Sequence, residues 1–174
     1  MNQLETQRLL LRKWELDDLD DFYEYASNPN VGPIAGWAPH TDKEYTREIL
    51  HACIECDNMW AIVLKSTNKV IGSIATRKDD KRDVESAYVI GFVLSEPYWG
   101  QGFMPESIHA VVRYGFEEMN LSLMTAYHFT RNHRCQKVLS KCGFQYEGTL
   151  RKASTSYTGE ILDEMCYSIT KEEA

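Results

Sequence analysis

Apolar positions change rhythm along the first part of the chain. Leucines crowd residues 4–14 with polar residues between them, a strand-like density, whereas Leu16, Leu19, Phe22, Tyr23 and Ala26 recur at helical spacing. Residues 28–40 hold three prolines and two glycines and read as a loop. Thr41-Asp42-Lys43-Glu44 has the form of a capping box, and Tyr45, Ile49, Ala52, Cys53 and Cys56 extend its helix along one face. Three apolar, partly β-branched segments follow at 59–64, 70–76 and 87–94. The polar gaps between them are short enough for hairpins, so they predict an antiparallel meander.

After Gly100-Gln101-Gly102, the residues Met104, Ile108, Val111, Val112, Phe116 and Met119 form one helical stripe, and 123–127 is a strand. Cys135, Val138, Leu139 and Cys142 mark a short helix, with Asn132 placed to cap its start and Gly143 to end it. Residues 144–150 and 161–169 close the chain as strands. The order β-α-α-β-β-β-α-β-α-β-β predicts an α/β (α+β) fold, a mixed sheet with helices on both faces.

Length and charge narrow the function. The 174 residues fit one domain, residues 1–174. No apolar run approaches the roughly 20 residues of a membrane helix. The first five residues lack the basic and apolar regions of a signal peptide, which predicts a cytoplasmic protein. Lys and Arg number 19 against 26 Asp and Glu, a net charge of −7, so neither nucleic acid nor membrane is an expected partner. An anionic ligand must then be held by a local set of donors. Cys53 and Cys56 form a C-x-x-C, but no second such pair or H-x-x-x-H accompanies it; in a helical pattern they read as ordinary helix residues, and no metal is expected.

The informative junction runs from Tyr88 to Glu106. An apolar strand ends near Pro97, and Tyr98-Trp99-Gly100-Gln101-Gly102-Phe103-Met104-Pro105-Glu106 leads straight into a helix. A strand, a glycine-rich turn and a helix start make an anion site, because the unpaired N–H groups of the first turn and the helix dipole both favour negative charge. Gly100 and Gly102 let the backbone take positive φ close to phosphate oxygens. The P-loop pattern G-x-x-x-x-G-K-S/T is absent, and Pro105 stands where G-x-G-x-x-G needs its third glycine. A turn needing flexible residues is the plain alternative.

Trp99-Gly100-Gln101-Gly102-Phe103-Met104 resembles the tail of the Gln/Arg-x-x-Gly-x-Gly/Ala signature of the GNAT acetyltransferase superfamily. Three further stretches are similar to its Rim-type branch, the ribosomal-protein N-terminal acetyltransferases and their relatives. Thr6-Gln7-Arg8-Leu9-Leu10-Leu11-Arg12 resembles the branch's opening, and Asn132-His133-Arg134-Cys135 through Lys141-Cys142-Gly143-Phe144 its second motif. Glu147-Gly148 and Leu150-Arg151 then follow in the same order. Two positions depart from the wider signature: Met104 replaces Gly or Ala, and Trp99 replaces Gln or Arg.

The resemblance implies a mostly antiparallel, seven-stranded sheet with splayed central strands, and acetyl-CoA as co-substrate. Its pyrophosphate would lie on Gly100, Gln101, Gly102, Phe103 and Met104, and its pantetheine arm along the backbone of Phe92, Val93 and Leu94 and beside Asn132. One strand N–H would then stabilise the oxyanion. Arg134, Lys137 and Lys141 form a basic side of the short helix, read mainly as a solvated face. The acceptor would be a primary amine of a protein N-terminus or a small molecule, bordered by the 28–40 loop with Trp37, and the protein a monomer or homodimer. The tyrosine with which many members protonate the leaving thiolate is replaced by Leu139. Cys135 aligns with a serine of some Rim-type relatives and is the candidate acid, with a thiol pKa near 8.5 that would match the leaving group. A buried apolar cysteine is the alternative. Asp163 or water could serve as base, and a catalytically silent acyl-CoA-binding or regulatory domain is the rival from another class.

Overall fold

The computed structural model describes residues 1–174. The chain forms β1 (Leu4–Glu5), β2 (Leu9–Arg12), α1 (Leu19–Ala26), α2 (Gly32–Ala35), α3 (Lys43–Glu55), β3 (Met59–Leu64), β4 (Lys69–Lys78) and β5 (Ala87–Leu94). It continues with α4 (Phe103–Glu117), β6 (Leu123–Phe129), α5 (His133–Lys141), β7 (Gln145–Thr155) and β8 (Ile161–Thr170), and short 3-10 turns precede α1 and follow β5. All strands join one sheet in the order β1-β2-β3-β4-β5-β6-β8-β7. Every neighbouring pair is antiparallel except β5 and β6, which run parallel with α4 as their connection.

The sheet has eight strands rather than seven because the first apolar stretch is a hairpin. The Thr6 hydroxyl accepts the Leu9 N–H at 2.9 Å and turns the chain, so Leu4 pairs with Leu11. The proline- and glycine-rich loop contains one helical turn, α2, with Pro33 in its first turn and Gly36 ending it at φ 103°. Asp42, not Thr41, caps α3: its carboxylate accepts the Tyr45 N–H at 2.8 Å.

Two cores sit on the two sheet faces. α4 and α5 cover one face, where Ile108, Val111, Phe116 and Leu139 pack on Leu9, Ile62, Ile74, Met124 and Ile169. α1 and α3 cover the other, where Phe22, Tyr25, Leu50 and Cys53 pack on Ala61, Val63 and Val70. Cys53 is therefore a core residue, while Cys56 is exposed. No group of three or more His, Cys, Asp or Glu side chains is arranged to hold a metal. No helix is long and apolar enough to cross a membrane.

Candidate active site

The parallel ladder between β5 and β6 is short. It spans Ala87–Val89 against Leu123–Thr125 and then stops, although both strands continue. Residues 90–94 and 126–129 thus diverge and leave a cleft in the middle of the sheet, with unpaired strand edges facing it. On its other side β5 is held firmly. Gly72 of β4 lies so close that a Cβ there would sit 2.4 Å from the Val93 carbonyl oxygen, so only glycine permits this approach.

The mouth of the cleft is a cavity of about 320 Å³, lined by Phe92, Val93 and Leu94 from β5, by Gly100, Gly102 and Met104 at the start of α4, and by Asn132 and Cys135 at the start of α5. Here α4 begins without a side-chain cap. Gly102 occupies the cap position at φ 81°, and Gly100 stands at φ 76°. The backbone N–H groups from Gly100 to Met104 donate no hydrogen bond within the chain. A run of free donors at the positive end of a 15-residue helix is an anion cradle. The first-turn carboxylate, Glu106, would oppose an anion, but Arg8 holds it aside: Arg8 Nε donates to Glu106 at 2.7 Å and Thr6 Oγ1 donates at 2.6 Å. Burial alone would raise the Glu106 pKa, yet these bonds hold it below the usual carboxylate value.

Most of the residues singled out in the sequence meet here, with three qualifications. Gln101 is exposed and turns its side chain to the Pro97 carbonyl, leaving only its backbone to the loop. Phe103 points into the core with Arg8 stacked 4.3 Å above its ring. Trp37 packs into the second core beside His40 and lines neither this cavity nor the cleft behind it; α2 contributes Ile34 and Ala35 instead. Met104 is buried in the main core, so its bulk lies beneath the loop and does not block it. Arg134, Lys137 and Lys141 all line the cavity, with Arg134 stacked 4.5 Å over Trp99. The basic side of α5 is thus turned to the site, a placement that helical spacing alone could not give.

Behind the mouth the cleft narrows to about 170 Å³ between Ile90, Gly91 and Phe92 on one strand and residues 126–129 on the other, with Cys135 and Glu164 also in its wall. Leu139 is fully buried and takes no part. Burial pushes the Cys135 thiol up to about 12. The balanced proton transfer expected near 8.5 is therefore not what this environment offers. Asp163 is committed elsewhere: its carboxylate accepts the Lys152 N–H at 2.8 Å.

A cleft opened by two splayed strands, with a helix N-terminus of free donors at its mouth, can be set beside known families. The chain matches the acetyltransferase (GNAT) domain over residues 8–145. It belongs to the GNAT acetyltransferases. Among GNAT relatives, the uncharacterized N-acetyltransferase p20 of Bacillus licheniformis is 32% identical over 99% of this chain and 98% of its own length. A solved GNAT acetyltransferase from Bacillus anthracis is 29% identical, with a TM-score of 0.88 over 99% of this chain and all of that one. The ribosomal-protein-S5-alanine acetyltransferase from Vibrio fischeri shares the fold, with a TM-score of 0.79 at 22% identity over 99% of this chain and 98% of that one. The chain is an N-acetyltransferase with the GNAT fold and Rim-type structural neighbours. Two of this GNAT site's features were not legible in the sequence. One is α2, whose Ile34 carbonyl accepts from Asn132 Nδ2 at 3.4 Å across the cleft; the other is His128 on β6.

Proposed function

We propose that this chain transfers the acetyl group of acetyl-CoA to a cationic primary amine, either a protein N-terminus or a small molecule. The observation that carries the reading is the run of undonated N–H groups from Gly100 to Met104 opening onto the splayed strands. A pyrophosphate fits that cradle by charge and donor direction, and the cations of α5 stand across from it. The pantetheine arm then runs along the free edge of β5, which places the thioester in the narrow part of the cleft. One backbone N–H of that edge stabilises the oxyanion as the amine attacks. The net charge of −7 favours a cationic acceptor through steering.

Titration calorimetry with acetyl-CoA tests the cofactor half of this reading, with binding expected in the micromolar range. Gly102→Asp puts a carboxylate at the helix N-terminus, where it takes up the donors and repels pyrophosphate. The variant should bind at least about a hundredfold more weakly. Unchanged affinity would take the loop out of the site. Thiol release on a panel of peptides and small amines then identifies the acceptor.

A further inference from the structure

His128 is the one buried side chain in the cleft with a ring nitrogen left over. It lies on β6 at 6% exposure, in the wall of the narrow cavity together with Cys135, Gly91 and Phe92. Its Nδ1 lies 2.9 Å from the Phe129 carbonyl oxygen, which can only accept, so Nδ1 carries the proton. The other nitrogen, Nε2, is buried with no hydrogen-bond partner. Leaving a buried acceptor unpaired costs about 1–3 kcal/mol, so an unpaired nitrogen on a residue that lines the cavity gains from a partner outside the chain. The ring is fixed by stacking on Tyr167, with centroids 5.4 Å apart.

From this geometry, and resting on the acyl-CoA reading above, we infer that His128 Nε2 is the proton shuttle of the transfer reaction. The acceptor ammonium first gives up one proton to solvent; the neutral amine so formed attacks the thioester carbonyl and the C–N bond forms. The proton shed by that nitrogen passes to Nε2, directly or through one water. The C–S bond then breaks, and the imidazolium returns the same proton to the departing thiolate. Neutral amine and thioester thus become amide and thiol with no further proton gained or lost. Cys135, whose thiol burial makes harder to ionise, is not needed as a donor.

The charge state suits this role. Burial lowers the His128 pKa below its ordinary value; the Phe129 carbonyl and Glu164 of β8 oppose that shift, and His133 of α5 adds to it. The ring is therefore neutral at pH 7 and ready to accept. Cys135 of α5 and Tyr167 of β8, the other titratable groups facing it, are uncharged there, since both are raised above their ordinary values.

The test compares His128→Asn with the parent. Asparagine keeps a donor for the Phe129 carbonyl, the ring's structural bond, but has nothing in the place of Nε2. Acetyl-CoA affinity is read by calorimetry and folding by melting temperature. Turnover is read as thiol release with an alanine-initiated tetrapeptide, with spermidine, and with no amine, where water takes the nucleophile's place. The expected result is unchanged affinity and melting temperature with kcat at pH 7 lowered about 10²-fold, as for loss of a general base. The deficit should shrink toward pH 9, where hydroxide removes the proton instead. If the Asn variant does not fold, His128→Gln is measured in its place, because its amide oxygen fills the Nε2 position without transferring a proton. Turnover within threefold of the parent at every pH overturns the shuttle while leaving the acyl-CoA reading intact. Failure of the parent to bind acetyl-CoA overturns that reading, and the shuttle with it.

Discussion

Asn132 shows how much one residue's local pattern discloses. Its capping role is legible in the sequence, and Oδ1 accepts the Cys135 N–H at 3.1 Å. Its second partner, the Ile34 carbonyl, belongs to a distant segment, and no local pattern points to it. Asn132→Asp keeps the cap acceptor and removes the amide donor, whereas Asn132→Ala removes both. If the amide donor also holds the pantetheine arm, the Asp variant should bind acetyl-CoA about tenfold more weakly at unchanged melting temperature. Equal affinity, measured by calorimetry, would leave Asn132 with only its cap and its Ile34 contact. Cys135 is the converse case, because its alignment suggested an acid that its surroundings disfavour. Burial raises its thiol well above the ordinary cysteine value, which makes it a poor proton donor. We expect Cys135→Ala to keep kcat within about threefold and to lose about 1 kcal/mol of stability from the small cavity it leaves. A hundredfold loss of kcat at unchanged KM would restore Cys135 as the proton donor.

At the scale of elements, periodicity was a good guide wherever one element has one buried face. α3, α4 and the β3–β4–β5 meander fall close to where their apolar spacing puts them. It failed where the deciding contact is distant or the signal is short. The β1–β2 reversal rests on a threonine hydroxyl, and α2 is a single turn among prolines. The splay of β5 from β6 depends on how two strands separated by a helix pair, which neither strand's own sequence states. Gly91 gives a direct handle on that splay. Ile90 and Leu94 point into the main core, so Gly91 projects to the opposite face, where an added Cβ meets nothing within 4 Å. Gly91→Phe should therefore fold normally while narrowing the cleft from the side away from α5. We expect its melting temperature to match or exceed the parent's, since a strand glycine carries an entropic cost. Acetyl-CoA affinity should change less than threefold, while kcat/KM for the acceptor falls about tenfold or more. An unimpaired variant would mean that the acceptor does not approach from this face.

At the scale of the molecule, a split sheet has to be held together while its centre stays open. The β5–β6 ladder is too short to do this alone, and the turn between β4 and β5 supplies a second tie. Asp79, fully buried, accepts the hydroxyls of Thr125 at 2.6 Å and Tyr127 at 2.8 Å, both on β6. Its neighbours extend the tie, with Lys81 paired to Glu164 of β8 and Arg82 to Glu147 of β7 at 2.6 Å. Burial by itself would raise the Asp79 pKa. The bonds from Thr125, the Lys81 N–H and Tyr127, with the Arg82 charge, outweigh burial and hold it below the usual value. A carboxylate with a depressed folded pKa adds stability that is present above its unfolded pKa, about 3.9, and lost as pH falls through the folded value. Asp79→Asn should thus cost about 1–3 kcal/mol at pH 7, a fall of several degrees in melting temperature for a chain of this length. As pH falls below the unfolded value toward the lower folded one, the parent's own Asp79 takes up its proton and the gap between the two proteins should narrow. Glu106 and Glu147, also depressed, lose their contributions over the same acid range in both proteins, so they cancel in the comparison. Scanning calorimetry from pH 7 to pH 3 reads the difference directly. A gap between parent and variant that stays constant over that range would mean that the Asp79 charge does not tie the halves of the sheet together, and that shape alone does.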